Sequence, residues 1–316
     1  MSTARAILID TDPGIDDAVA ILHALSVPAF RVLGLTTVAG NLGLATTTRN
    51  SLRLLALMGR ADVPVVAGAA APLARPGWQS ADIHGQDGLG GVPMPEPLTA
   101  ATPGDAVAFL ADALDAAPGA VDVLALGPLT NIARLVTERP ASARRMGRLI
   151  AMGGAVHEPG NVGPRAEFNL ACDPEAAAIV FAAGLPLTLI PLDVTRKVRA
   201  TLAWTAGLRA SGSVAAKAAA DLIDAYFVAT VQQSQVAESR PLHDPCVMLL
   251  ALAPALFRTE PLHLTVDTRA RPDAGALTAT PAAGAVEVAL GVDAAAALAL
   301  LSEGLTQGAA SATTPA

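Results

Sequence analysis

Short apolar runs alternate with helical patterns along this chain, and that alternation limits the fold more than any other feature. Residues 6–10 read as a buried strand, because Ile7, Leu8 and Ile9 are consecutive and bulky, as a strand covered on both faces requires. Residues 16–25 read as a helix opened by acidic residues, which suit the positive end of a helix dipole. Strands are expected at 31–38, 64–67, 121–126, 148–152 and 187–191, and a helix at 45–58. After the 121–126 strand, Ile132, Leu135 and Val136 recur at helical spacing. The pattern predicts an α/β fold: an open, Rossmann-like, mostly parallel sheet with helices on both faces. Ligands of such sheets bind beyond the carboxyl ends of the strands. Polar or glycine positions follow the apolar runs at those ends: Asp12, Asn41, Gly127 and Gly153.

Residues 1–305 are expected to form one domain, with insertions at about 68–98 and 201–243. The first is rich in Gly and Pro; the second is mainly helical, its longest helical stretch being 215–235. Residues 262–292 alternate like strands and predict an edge hairpin, and 306–316, small and polar, predict a disordered tail. A chain that is 52% hydrophobic and 16% charged is not disordered. It has no uninterrupted apolar run of membrane-spanning length, and no secretory signal is evident. Its net charge of −7 without any Lys/Arg-rich run argues against nucleic acid as a partner. Two cysteines, Cys172 and Cys246, read as packed thiols of a cytoplasmic protein.

The densest chemistry is Asp10-Thr11-Asp12-Pro13-Gly14-Ile15-Asp16-Asp17, four carboxylates in eight residues. Crowded carboxylates repel one another unless a cation neutralises them, and hard oxygen donors favour Ca²⁺ or Mg²⁺ over zinc. Helix capping explains Asp16 or Asp17 but not the acids on the strand side, where Asp10 reads as a structural acid. An Asp-x-Asp strand end is also compatible with a metal-dependent phosphatase of the haloacid-dehalogenase type, although Gly14 and the Asp16-Asp17 pair depart from that pattern.

The segment Asp10–Ala18 closely resembles the signature of the inosine–uridine-preferring nucleoside hydrolases. Further motifs follow in the same order: Val38-Ala39-Gly40-Asn41, Ile83-His84-Gly85 with Gly88-Leu89, Leu126-Gly127-Pro128-Leu129-Thr130-Asn131-Ile132, Met152-Gly153-Gly154, Glu167-Phe168-Asn169, Asp173-Pro174-Glu175-Ala176 and His243-Asp244-Pro245. Each motif is short, but together they span about residues 5–300.

The resemblance implies hydrolysis of the N-glycosidic bond of ribonucleosides to ribose and free base. It implies one Ca²⁺ per subunit, held by Asp12, Asp17, the Leu126 carbonyl and Asp244, with Asp12 also the base that activates water. Asp16, Asn41 and Asn169 are expected at the ribose hydroxyls, Met152 along the sugar pocket, and Glu167 and Asn161 at the 5′-hydroxyl. His84 is expected to border the base. His243 favours the inosine–uridine-type group and could protonate a departing purine, with a structural, pocket-lining role as its alternative. The family further implies a homodimer or homotetramer and a role in purine or pyrimidine salvage; the lack of a long apolar run argues against a membrane partner. A non-catalytic nucleoside-binding module is the remaining alternative. His23, His157 and His263 read as ordinary core or surface residues, and packing is the default for Trp78, Trp204 and Tyr226.

Overall fold

Alternate side chains of each central strand enter different cores, which is why the strands read as unbroken apolar runs. Ile7 and Ile9 pack on one face with Leu35, Leu124, Ile150 and Ile190. Leu8 packs on the other with Val121, Val123, Leu149 and Leu189. All are essentially without solvent exposure, so truncation such as Ile9→Ala should cost about 2–5 kcal/mol. This computed structural model describes residues 4–76, 81–232, 238–269, 272–282 and 286–307.

The strands are β1 (Arg5–Thr11), β2 (Phe30–Thr37), β3 (Val65–Ala67), β4 (Val121–Ala125), β5 (Leu149–Met152), β6 (Leu187–Ile190), β7 (Arg199–Thr201), β8 (Ser239–Pro241), β9 (Phe257–Val266), β10 (Leu277–Pro281) and β11 (Val286–Val292). The described residues form a nine-stranded sheet of order β10-β9-β11-β6-β5-β4-β1-β2-β3 and a separate β7-β8 ribbon. Pairings from β3 through to β11 are parallel; β9 is antiparallel to both β11 and β10. Helices cover both faces. Ile15–Ser26, Val214–Gln232, Pro245–Leu252 and Ala294–Thr306 lie on the first, while Ala106–Ala116, Thr130–Glu138 and Pro174–Ala182 lie on the second.

The chain leaves β1 for β2 and β3 on one side, then returns to β4 on the other. The β1/β4 boundary is therefore a topological switch point, where loops diverge and leave a crevice at the strand ends. Asp12 and Leu126 immediately follow those two strands.

The expected elements are present with shifts of one or two residues at their ends. Residues 262–292 depart further from expectation. β9 and β10 do pair as an edge hairpin, but β11 runs inside the sheet, parallel to β6. Its consecutive buried Val288, Ala289 and Leu290 are what an interior strand requires. The expected 215–235 helix is Val214–Gln232, and 233–237 lie outside the described residues, as does Trp78. The tail expected from 306 begins inside a helix, at Thr306; 308–316 lie outside the described residues.

Candidate active site

The acidic segment folds into a bonded cage. Pro13 and Gly14 turn the chain out of β1, and Gly14 is the N-cap of Ile15–Ser26. Asp17, in the first helical turn, accepts hydrogen bonds from the Thr11 hydroxyl (2.6 Å), the Asp12 N–H (3.2 Å), the Gly14 N–H (3.0 Å) and the Asn41 side-chain amide (3.2 Å). Asp17 thus caps its helix while remaining part of the acidic cluster. Asp12 receives the Asn41 N–H on Oδ2 at 2.7 Å, whereas its buried Oδ1 has no hydrogen-bond partner. Gly40 and Gly127 make room for it: a Cβ at either position would collide with the Asp12 carboxylate.

Asp244 precedes Pro245 at the start of Pro245–Leu252, but its carboxylate makes no capping bond. That leaves it to face the other acids. Asp16, Asp17 and Asp244 each offer an oxygen within 4.8 Å of the others, the arrangement of a metal-binding group. Asp12 is not in that trio, yet it raises the pKa of Asp244, as do Asp16 and Asp17. Burial is the larger cause of the upward shifts of Asp12, Asp17 and Asp244, with neighbouring carboxylates adding to it. Asp10 stands behind the cage, bonded to side chains of neighbouring elements. It accepts from Thr36 (2.5 Å) and Asn131 (2.8 Å), and burial pushes its pKa up to about 6.

A cavity of about 280 Å³ opens above the cage, lined by Asp16, Asn41, His84, Leu126, Met152, Asn161, Glu167, Asn169, His243 and Asp244. These residues come from loops far apart in sequence, and the strand ends bring them together. Asn169 donates to the Leu126 carbonyl (2.6 Å) and the Met152 carbonyl (3.3 Å), tying β4 to β5. Glu167 caps Phe168–Cys172 and also accepts from the Gly154 N–H, 2.8 Å away. Burial raises its pKa.

His84 Nδ1 accepts the Ile15 N–H at 3.0 Å, so its hydrogen sits on Nε2. His243 Nδ1 pairs with the Thr195 hydroxyl at 2.8 Å. Burial lowers the pKa of both rings. As a neutral ring His243 can still donate from Nε2 when Thr195 donates to Nδ1.

Tyr226, Ile15, Ile83, Val162 and Phe168 complete the lining. Tyr226 had packing as its default role; its place on Val214–Gln232 brings it to the cavity wall. Thr195 carried no signal of its own. His23 is a core residue, His157 and His263 lie on the surface, and Trp204 is half-buried.

The inosine-uridine preferring nucleoside hydrolase profile matches residues 7–299. This chain belongs to that family. It is an N-ribosyl hydrolase, and the nucleoside hydrolase motifs supply the walls of the cavity. The chain is 40% identical over 268 residues to the pyrimidine-specific ribonucleoside hydrolase RihA of Citrobacter koseri, an alignment covering 85% of this chain and 86% of the relative. A solved plant nucleoside hydrolase, PpNRh1, superposes with a TM-score of 0.89 at 33% identity, covering 96% of this chain and 99% of that one. The purine-preferring ribonucleoside hydrolase from Gardnerella vaginalis does so with a TM-score of 0.90 at 31% identity, at coverages of 96% and 99%. The nucleoside hydrolase fold thus extends over nearly the whole chain. Among the described residues, no helix is long and apolar enough to cross a membrane.

Proposed function

We propose that this nucleoside hydrolase converts ribonucleosides to ribose and free base with one Ca²⁺ per subunit, Asp12 serving as base toward the attacking water. The observation that carries the reading is the unpartnered, buried Oδ1 of Asp12 next to acids that raise one another's pKa. Such a group is costly to fold without a cation. The donors are hard oxygens, which suit Ca²⁺ better than zinc. Asp12, Asp17, Asp244 and the Leu126 carbonyl would hold the ion. Leu126 accepts one bond from Asn169, and a carbonyl has a second lone pair to offer. When bound, Ca²⁺ supplies positive charge and open oxygen-coordination positions.

The chain's own residues do the rest. Asp12 takes the proton from water. Asp16 and Asn169 hold the ribose hydroxyls, and Asn41 fixes both the sugar and its two acidic neighbours. Met152 packs along the sugar, while Asn161 and Glu167 receive the 5′-hydroxyl. Glu167 has acceptor capacity left beyond its bonds to backbone N–H groups. The carboxylates face a ribosyl ring that becomes oxocarbenium-like as the bond to the base breaks. His84 and His243 border the leaving base. We take 1–305 as one catalytic domain, since the cores on both faces share one sheet. In keeping with the family resemblance, we place it in the cytoplasm, in purine or pyrimidine salvage, as a homodimer or homotetramer.

A panel of purine and pyrimidine ribonucleosides, assayed for reducing sugar and free base, tests this reading. Equimolar release of both products is expected. Calorimetric binding without turnover would instead identify a nucleoside-binding module, and release of phosphate from phosphomonoesters alone would identify a phosphatase.

A further inference from the structure

The short helical turn Leu192–Thr195, with Arg196 at its C-cap, follows β6 and contacts the cavity's walls without lining it. Asp193 is buried and receives two consecutive backbone N–H groups, Val156 on Oδ2 at 2.8 Å and His157 on Oδ1 at 2.7 Å. Arg196 then donates to the next carbonyls of the same loop, Pro159 at 2.7 Å and Gly160 at 3.1 Å, and to the Glu158 carboxylate at 3.3 Å. The residue after Gly160 is Asn161. Between them, the two side chains hold the backbone of residues 156–160, the segment leading to one wall of the cavity.

Beyond that point the loop closes on itself. The Asn161 N–H donates to the Ala166 carbonyl at 3.0 Å, and Asn161 Oδ1 accepts the Phe168 N–H at 2.9 Å. No side chain fits at Gly160, where a Cβ would strike the Ala166 and Gly163 carbonyls. With its carbonyl oxygen committed to Phe168, Asn161 presents its NH₂ group as the donor for a ligand. Asn161 is thus held from two sides, by Ala166 and Phe168 beyond it and by what anchors residues 156–160 before it. Those anchors are a buried carboxylate taking two N–H bonds and a guanidinium fork spanning successive carbonyls, a geometry for which lysine is a poor substitute.

We propose that Arg196 and Asp193 are positioning residues that set the nucleoside's 5′-end specificity by holding the 156–161 loop so that Asn161 meets the ribose 5′-hydroxyl. The proposal rests on the reading of Asn161 given above. Neither residue touches substrate; both act through Asn161. A misplacement of about 1 Å by a remote substitution can cost as much as 100-fold in rate, and a peripheral hydroxyl contact lies at the mild end of that range.

The test crosses enzyme variants with substrate variants. Arg196→Ala, Arg196→Lys and Asn161→Ala are compared with the unaltered enzyme on uridine and inosine and on their 5′-deoxy counterparts, with melting temperature and metal content measured for each protein. Arg196→Ala should lower kcat/KM for the 5′-hydroxy substrates about tenfold, mainly through KM, and change the 5′-deoxy substrates less than about twofold. Asn161→Ala should show the same pattern. Arg196→Lys, which keeps the charge but not the fork, should fall between. An equal loss on both substrate classes, or none on either, for Arg196→Ala while Asn161→Ala remains selective for the 5′-hydroxyl overturns the positioning role alone. An equal loss on both classes for Asn161→Ala overturns the 5′-hydroxyl reading and the proposal with it.

Discussion

Asn41 holds Asp12 through two bonds, its N–H on the Asp12 carboxylate at 2.7 Å and its side-chain amide on the Asp12 carbonyl at 3.1 Å. The same amide reaches Asp17 at 3.2 Å. A single residue in the loop after β2 therefore fixes both acids that follow β1. Asn41→Ala keeps the backbone bond and removes the amide that spans the two acids. It should weaken calcium retention and lower kcat/KM by about 10–100-fold, the usual scale for a group that orients metal ligands. Calcium titration of the variant alongside kinetics checks both effects; unchanged affinity and turnover would make the amide dispensable.

Asp12→Asn keeps the size of the side chain and one oxygen but removes the carboxylate proposed as the base. A rate loss of about 10²–10⁴ is expected, the range for a positioned general base. Calcium content separates this from metal loss: a variant with bound metal and near-normal turnover would place water activation elsewhere.

His243 should matter more for a purine than for a pyrimidine. A purine can accept a hydrogen at N7 as it leaves, and a pyrimidine offers no equivalent ring nitrogen. His243→Ala is expected to slow inosine hydrolysis by about 10²–10⁴ and uridine hydrolysis much less. Equal losses on the two substrates, with calcium intact, would show that His243 positions Asp244 or shapes the wall.

The parallel sheet was legible because strands covered on both faces need consecutive apolar residues, and residues 6–10, 121–126 and 148–152 have them. Asp12, Asp16 and Asp17 were legible as part of the cage because they are neighbours in sequence, whereas Asp244, far along the chain, was reached only through the family resemblance. The place of β11 was not: alternation reports that a strand forms, not which strand it joins, and β6 lies about a hundred residues upstream. Tyr226, Thr195 and Arg196 left no local signal for a related reason. Their roles come from contacts with distant loops, and their own segments read as ordinary helix or turn.

His23 gives a pH dependence outside the site. It lies buried in Ile15–Ser26 against Gly304, and burial lowers its pKa to about 4 from 6.5, only weakly opposed by the Leu300 backbone. Between those values the unfolded chain binds a proton that the folded chain does not. The His23 contribution is thus intact above pH 6.5 and is lost as pH falls toward 4, a loss of roughly 3 kcal/mol at about 1.4 kcal/mol per unit. Denaturant melts from pH 7 to pH 4 should show a shallower decline for His23→Leu than for the unaltered protein. Parallel declines would mean that the buried ring does not control this stretch of the acid response.

In the function proposed, Ca²⁺ held by Asp12, Asp17, Asp244 and the Leu126 carbonyl would make this fold a ribonucleoside hydrolase. The most direct measurement is ribose release from uridine and inosine by one enzyme preparation as purified, after chelation, and after calcium is restored, with metal counted at each stage. One calcium per subunit, activity lost on chelation and activity regained with calcium are the expected results. Full turnover in chelator without metal, or zinc at full occupancy in the active enzyme, would contradict the account.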